Sequence, residues 1–137
     1  MNVDKLIKKY LKTSYEKSEL IIKEKYDKIN SYLLSKDITE SRYIIVGFIL
    51  TCIAADAFFS ANEWELINKL LGKHSYSDGI NGYISFVNEE NRIKCKEIVD
   101  VLPKHIKEEF IELSIIVLCI DGRINECELT FLNKLLD

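Results

Sequence analysis

Four carboxylates carry the most chemistry in this sequence, and they come as two pairs. Asp56 is followed seven residues later by Glu63, and 65 residues further on Asp121 is followed by Glu128 at the same spacing. In each pair the Asp closes an apolar run and the Glu opens an amphipathic one. Both amphipathic segments end alike, in Asn68-Lys69-Leu70-Leu71 and Asn133-Lys134-Leu135-Leu136. Carboxylate oxygens placed across a short turn are hard ligands, suited to Ca²⁺, Mg²⁺ or Mn²⁺ rather than to soft metals. One turn alone supplies too few oxygens for tight binding. A strong site needs Asn62, Asn125, backbone carbonyls or the other turn. The pattern is not an EF-hand, whose calcium loop places acids at alternating positions.

A second explanation needs no metal. Ser60-Ala61-Asn62-Glu63 and Asn125-Glu126-Cys127-Glu128 both read as capping boxes, in which the Glu reaches back to a free N–H at the helix start. Each Asp can likewise accept from unpaired N–H groups of the following helix. Caps explain the Glu residues well. The Asp residues fit less easily, because a carboxylate at a helix C-terminus is disfavoured by roughly 0.3–1 kcal/mol.

These acids are positioned by helices. Apolar residues recur at spacings of three and four, with one proline and five glycines in the chain, so the predicted fold class is all-α. Val3, Leu6, Ile7, Tyr10, Leu11, Tyr15, Ile22, Tyr26, Ile29 and Leu33 trace one helical face. They predict a long N-terminal helix ending near Ser35, with a break near Thr13-Ser14. As one rod it would run about 50 Å, more than a domain of this size needs, so it either folds back or projects. Asp37-Ile38-Thr39-Glu40 reads as a further capping box, opening a buried helix over about residues 40–56. A helix from Glu63 to Leu71, a loop over 74–82, weaker helices over 83–89 and 91–101, and a helix of about 104–120 behind Pro103 follow.

The repeat extends beyond the acids. Setting 48–72 against 113–137 gives six identities and keeps apolar character at most of the inward positions. Two helix–turn–helix halves made by duplication are too few for a solenoid, so a closed bundle is expected.

Composition narrows the function classes. A chain of 137 residues makes about one domain, and a net charge of −3 gives no reason to propose general nucleic-acid binding. Charge is uneven: residues 1–36 hold nine lysines against five acids, while the remainder holds ten basic residues against seventeen acids. The basic first segment can meet an acidic partner, a membrane surface or the body itself. Cys52, Cys95, Cys119 and Cys127 form no disulfide framework or zinc motif. The longest apolar stretch, 43–55, is too short to cross a bilayer, and no signal peptide is apparent, so a cytoplasmic setting is expected. His74 and His105 lack partners at informative spacings, and no phosphate loop or Glu-x-x-His motif occurs.

The residues around the two turns resemble the TerB-like family of tellurite-resistance proteins. That family's signature is a small-residue-rich helix ending in Ala-Asp-Gly, then an apolar residue, a Ser or Asp, and a Glu opening the next helix. Asp121-Gly122-Arg123-Ile124-Asn125 through Glu128 matches it more closely than Ala55-Asp56 through Glu63, where Ala57 replaces the glycine and Phe58 follows. The resemblance covers about residues 40–137, within an expected helical domain of 37–137, and leaves 1–36 outside. It implies a two-half helical bundle with metal-binding acids at Asp121, Glu128, Asp56 and Glu63. It also implies a non-enzymatic role in a stress-response or membrane-associated assembly, with another protein rather than a small-molecule substrate as partner. The competing expectation is a purely structural interaction module whose repeated acids are helix caps.

Overall fold

The computed structural model describes residues 2–38, 41, 44, 45, 47–49, 65, 89–121, 130 and 133, and every described element is helical. The elements are α1 (Val3–Leu11), α2 (Tyr15–Ser35), α3 (Glu89–Asp100) and α4 (Lys104–Leu118), followed by a 3₁₀ turn over Cys119–Asp121. Between α2 and α3, residues 41, 44, 45 and 47–49 are helical as well.

The N-terminal segment is two helices, not one rod. Thr13 and Ser14 interrupt it because both find local hydrogen bonds that compete with continuing the helix. The Thr13 hydroxyl donates to the carbonyl of Lys9 at 2.8 Å. Ser14 is extended and caps α2, its hydroxyl accepting from the Lys17 N–H at 3.3 Å. Asn2 caps α1 in the same manner through the Lys5 N–H.

Asp37 corrects one expectation. Its φ of 61° places it in the left-handed region, whereas a residue capping the next helix would be extended. The Asp37 N–H donates to Leu34 O at 3.0 Å and the Ile38 N–H to Leu33 O at 3.0 Å. This is the Schellman pattern that closes a helix. Asp37 therefore ends α2, and Ile38 packs down against the core beside buried Leu33.

The core is built around α4. Ile106, Phe110, Ile111, Leu113, Ile115, Ile116, Val117 and Leu118 are all buried, which leaves the second half of the helix enclosed on every side. Pro103 sits at its N-cap, and its carbonyl accepts from the N–H groups of Ile106 and Lys107 at 3.0 and 2.9 Å. Ser114, the one hydroxyl in the buried stretch, is satisfied by donating to Phe110 O at 2.9 Å. α1 packs on α4 and on the 3₁₀ turn, α2 runs against α4, and α3 leans on α4. Val3, Ile7 and Tyr10 from α1 share one core with Ile22, Tyr26, Ile29 and Leu33 from α2 and with Ile45, Phe48 and Ile49. Phe48 meets Phe110 edge to face at 5.4 Å. Ser41 donates to Asn30 Oδ1 and ties the segment after α2 back to that helix.

The first 36 residues thus fold back and help build the core. Six of their buried side chains, at about 1.5–3 kcal/mol each, match the whole net stability of an ordinary domain. Deleting residues 1–36 should therefore abolish the cooperative thermal transition, with loss of helical circular dichroism beyond the deleted share. At the helix end, Asp37→Gly should be neutral or stabilising by up to about 1 kcal/mol in chemical denaturation. Asp37→Val should cost about 1–2 kcal/mol, because a β-branched residue resists positive φ.

Candidate functional site

Of the four sequence-predicted acids, only Asp121 is among the described residues. Asp56, Glu63 and Glu128 lie outside the described residues. Asp121 is described through its backbone alone, as the last residue of the 3₁₀ turn that continues α4. The expectation that this Asp closes a helical run holds there, and α1 packs directly on the same turn. Among the described residues, no group of three His, Cys, Asp or Glu side chains is close enough to hold a metal ion.

The titratable groups that the fold does bring together are different ones. α2 carries Lys25 and Lys28 three residues apart, and α4 carries Glu109 and Glu112 at the same spacing, so each pair shares one face of its helix. Where the helices meet, Lys25 Nζ lies 2.9 Å from Glu109 Oε2 and 3.1 Å from Glu112 Oε2. Lys28 Nζ lies 3.0 Å from Glu109 Oε1. α1 completes the chain: the Tyr10 hydroxyl donates to Glu112 Oε1 at 2.6 Å. Both oxygens of both carboxylates are engaged. The cluster sums to zero charge and joins three helices at a single seam.

The electrostatics lock these protonation states. Burial works against the Lys25 ammonium, but its hydrogen bonds to Glu109 and Glu112 outweigh it, and the group is held above its ordinary value of 10.5. Burial also works against the Glu109 carboxylate, and there Lys25 and Lys28 prevail, holding it below the ordinary value of 4.5. The Tyr10 phenol is pushed far upward by burial, then by its hydrogen bond to Glu112 and by the nearby carboxylates. None of the three is tuned toward neutral pH, as a general acid or base would need to be. The arrangement is chemically suited to holding helices together.

Beside this seam a groove of about 660 Å³ opens between α1 and α4, lined by Asn2, Lys5, Leu6, Lys9, Glu108 and Glu112. Elsewhere Lys107 reaches Asp100 at 3.4 Å, joining α4 to α3. His105 is exposed and meets the Tyr32 ring edge to face at 6.1 Å, an ordinary surface role. Cys119 is buried and behaves as a small apolar residue.

The cluster was only half visible in sequence. The matched spacing of Lys25/Lys28 and Glu109/Glu112 is there to be seen, as is the opposed charge of the two regions. Nothing local says that these pairs, more than 80 residues apart, are the ones that meet. No protein-family model, curated protein or solved structure matches this chain.

The seam has a defined pH signature. Glu109 has a depressed folded-state value, so its contribution is complete above about pH 4.5 and fades as pH falls through the lower folded value. Lys25 has a raised one, so its contribution is complete below about pH 10.5 and fades as pH rises beyond it. Lys25→Met should destabilise the protein by about 1–3 kcal/mol at pH 7, because it leaves two half-buried carboxylates under-neutralised. Denaturation of this variant across pH should also show a shallower loss of stability on the acid side.

Proposed function

We propose that this chain is a non-enzymatic helical binding module of the TerB-like type, in which a divalent cation at the Asp121/Glu128 turn tightens a helix–turn–helix corner. Asp56/Glu63 is the second, weaker turn, since Ala57 replaces the tight-turn glycine that Gly122 supplies. Its work is to present a surface to another protein, in a stress-response or membrane-associated assembly. The observation that carries this reading is the position of Asp121 at the end of the helical run that continues α4. The partial negative charge of a helix end favours a cation there and disfavours an unaccompanied carboxylate. The contact between α1 and that turn offers a route from the corner to the N-terminal surface. The reading draws on the duplicated acids and on the family resemblance for the identity of the site.

A second reading is favoured by the seam itself. Lys25, Lys28, Tyr10, Glu109 and Glu112 engage one another across three helices, which supports a fold whose charges hold helices in place. On that reading the repeated acids are caps, and the module is purely structural.

Cation titrations separate the two. Under the first reading, Ca²⁺, Mg²⁺ or Mn²⁺ at about a hundred times its Kd raises stability by roughly 2.7 kcal/mol, seen as a higher Tm. Asp121→Asn should remove most of that gain, and Asp56→Asn much less. If no cation stabilises the wild type, the cap account stands. If a cation binds the combined Asp121→Asn/Asp56→Asn variant as well as the wild type, the ligands lie elsewhere.

A further inference from the structure

The outer face of α1 carries Lys5, Lys8 and Lys9, and Lys12 follows at its C-cap. Their spacing of three, four and seven residues stacks all four on one side of the helix, over about 10 Å of its length. All four are exposed. No acidic side chain among the described residues forms an ion pair with any of them; Glu108 and Glu112 share the groove with Lys5 and Lys9, and Lys9 lies over the Tyr10 ring. Asp4 is the one acid that α1 carries. The opposite face of α1 is occupied by the core, since Val3, Ile7 and Tyr10 are buried. The lysines are therefore held in fixed array by a helix that cannot turn over.

We propose that this lysine face is an electrostatic docking surface for an anionic lipid bilayer. The chemistry of the face selects that occupant. Protein interfaces are depleted in lysine at their centre and rely on buried aromatic or arginine anchors. This face offers neither: residues 1–36 contain no arginine, and the aromatic side chain of α1 is turned inward. Arginine's planar fork suits a defined carboxylate or phosphate, whereas lysine keeps its hydration and responds to summed charge. A bilayer presents that kind of diffuse negative potential and needs no anchor residue. Four lysines give reversible, salt-sensitive adsorption rather than anchoring. This inference stands apart from the cation site, because it uses none of the repeated acids.

The test is co-sedimentation of the full chain with vesicles in EDTA, so that its outcome is independent of any divalent cation. Vesicles of phosphatidylcholine with about a third phosphatidylserine should carry the protein down at low salt, and phosphatidylcholine alone should not. Raising the salt tenfold should release it. Each lysine near the surface contributes roughly a fivefold gain in partitioning, so Lys5→Gln/Lys8→Gln/Lys12→Gln should return binding to background. Lys17→Gln/Lys23→Gln/Lys36→Gln makes the same charge change at exposed positions away from α1 and should largely preserve binding. The proposal is overturned if anionic vesicles fail to bind the wild type, or if both triple variants lose binding equally. It is also overturned if polyglutamate or a duplex oligonucleotide binds through the same three lysines more tightly than the vesicles do.

Discussion

A helix segment that is apolar around nearly its whole circumference must be covered on every side, and the second half of α4 sets that requirement here. From Phe110 to Cys119 all but one residue is buried, so neighbours are needed on every side. α1, α2, α3 and the helical residues of 41–49 supply them. The exception in that run, Glu112, together with Glu109 one turn earlier, is the only charged stripe that α4 turns toward α2. Two carboxylates packed under other helices cost far more than they return unless cations reach them. Lys25 and Lys28 are those cations, and Tyr10 closes the remaining oxygen. The apolar requirement of α4 thus fixes which helices pack, and its two carboxylates fix how α1 and α2 lie on it.

This explains what becomes of the uneven charge. A lysine-rich first segment and an acidic remainder suggest attraction, and at Lys25 and Lys28 the attraction is internal. Lys25 faces α4 because it flanks Ile22 and Ile29 at the edge of the buried side of α2, and Lys28, itself exposed, reaches Glu109 from further round the helix. The lysines of α1 lie opposite its buried side and remain in water. One compositional feature has two physical outcomes, decided by the phase of each lysine relative to the apolar stripe of its helix.

Much of the helical layout was legible for the same reason. Periodicity marks the buried apolar residues of α1 and α2 but not buried Ser18, and the competing hydrogen bonds of Thr13 and Ser14 mark the break between them. The span of about 104–120 corresponds to α4 with its 3₁₀ extension, and 91–101 to α3 within two residues. Asp37 was misread because aspartate serves both as an extended N-cap and as a left-handed helix stop. Its four-residue neighbourhood fits the first use, and only the return of the Ile38 N–H to Leu33 selects the second. The Lys25–Glu109–Glu112 seam was not legible, since spacing within a helix says nothing about which distant helix it faces. Of the candidate site, the backbone of Asp121 falls where the apolar run before it predicts; Asp56, Glu63 and Glu128 lie outside the described residues.

The corner after α4 sets the acidic turn against α1, the helix that carries the basic face. A 3₁₀ turn keeps its peptide dipoles roughly aligned with those of the helix before it, so the negative pole of α4 travels on to Asp121. The element packed against this corner is α1, and a nine-residue helix is only about 13 Å long. The lysines of α1 lie opposite its buried side, so the body of the helix stands between them and the core that it covers. The acidic turn and the basic face therefore use different residues on different sides of α1, and neither proposed site needs the other.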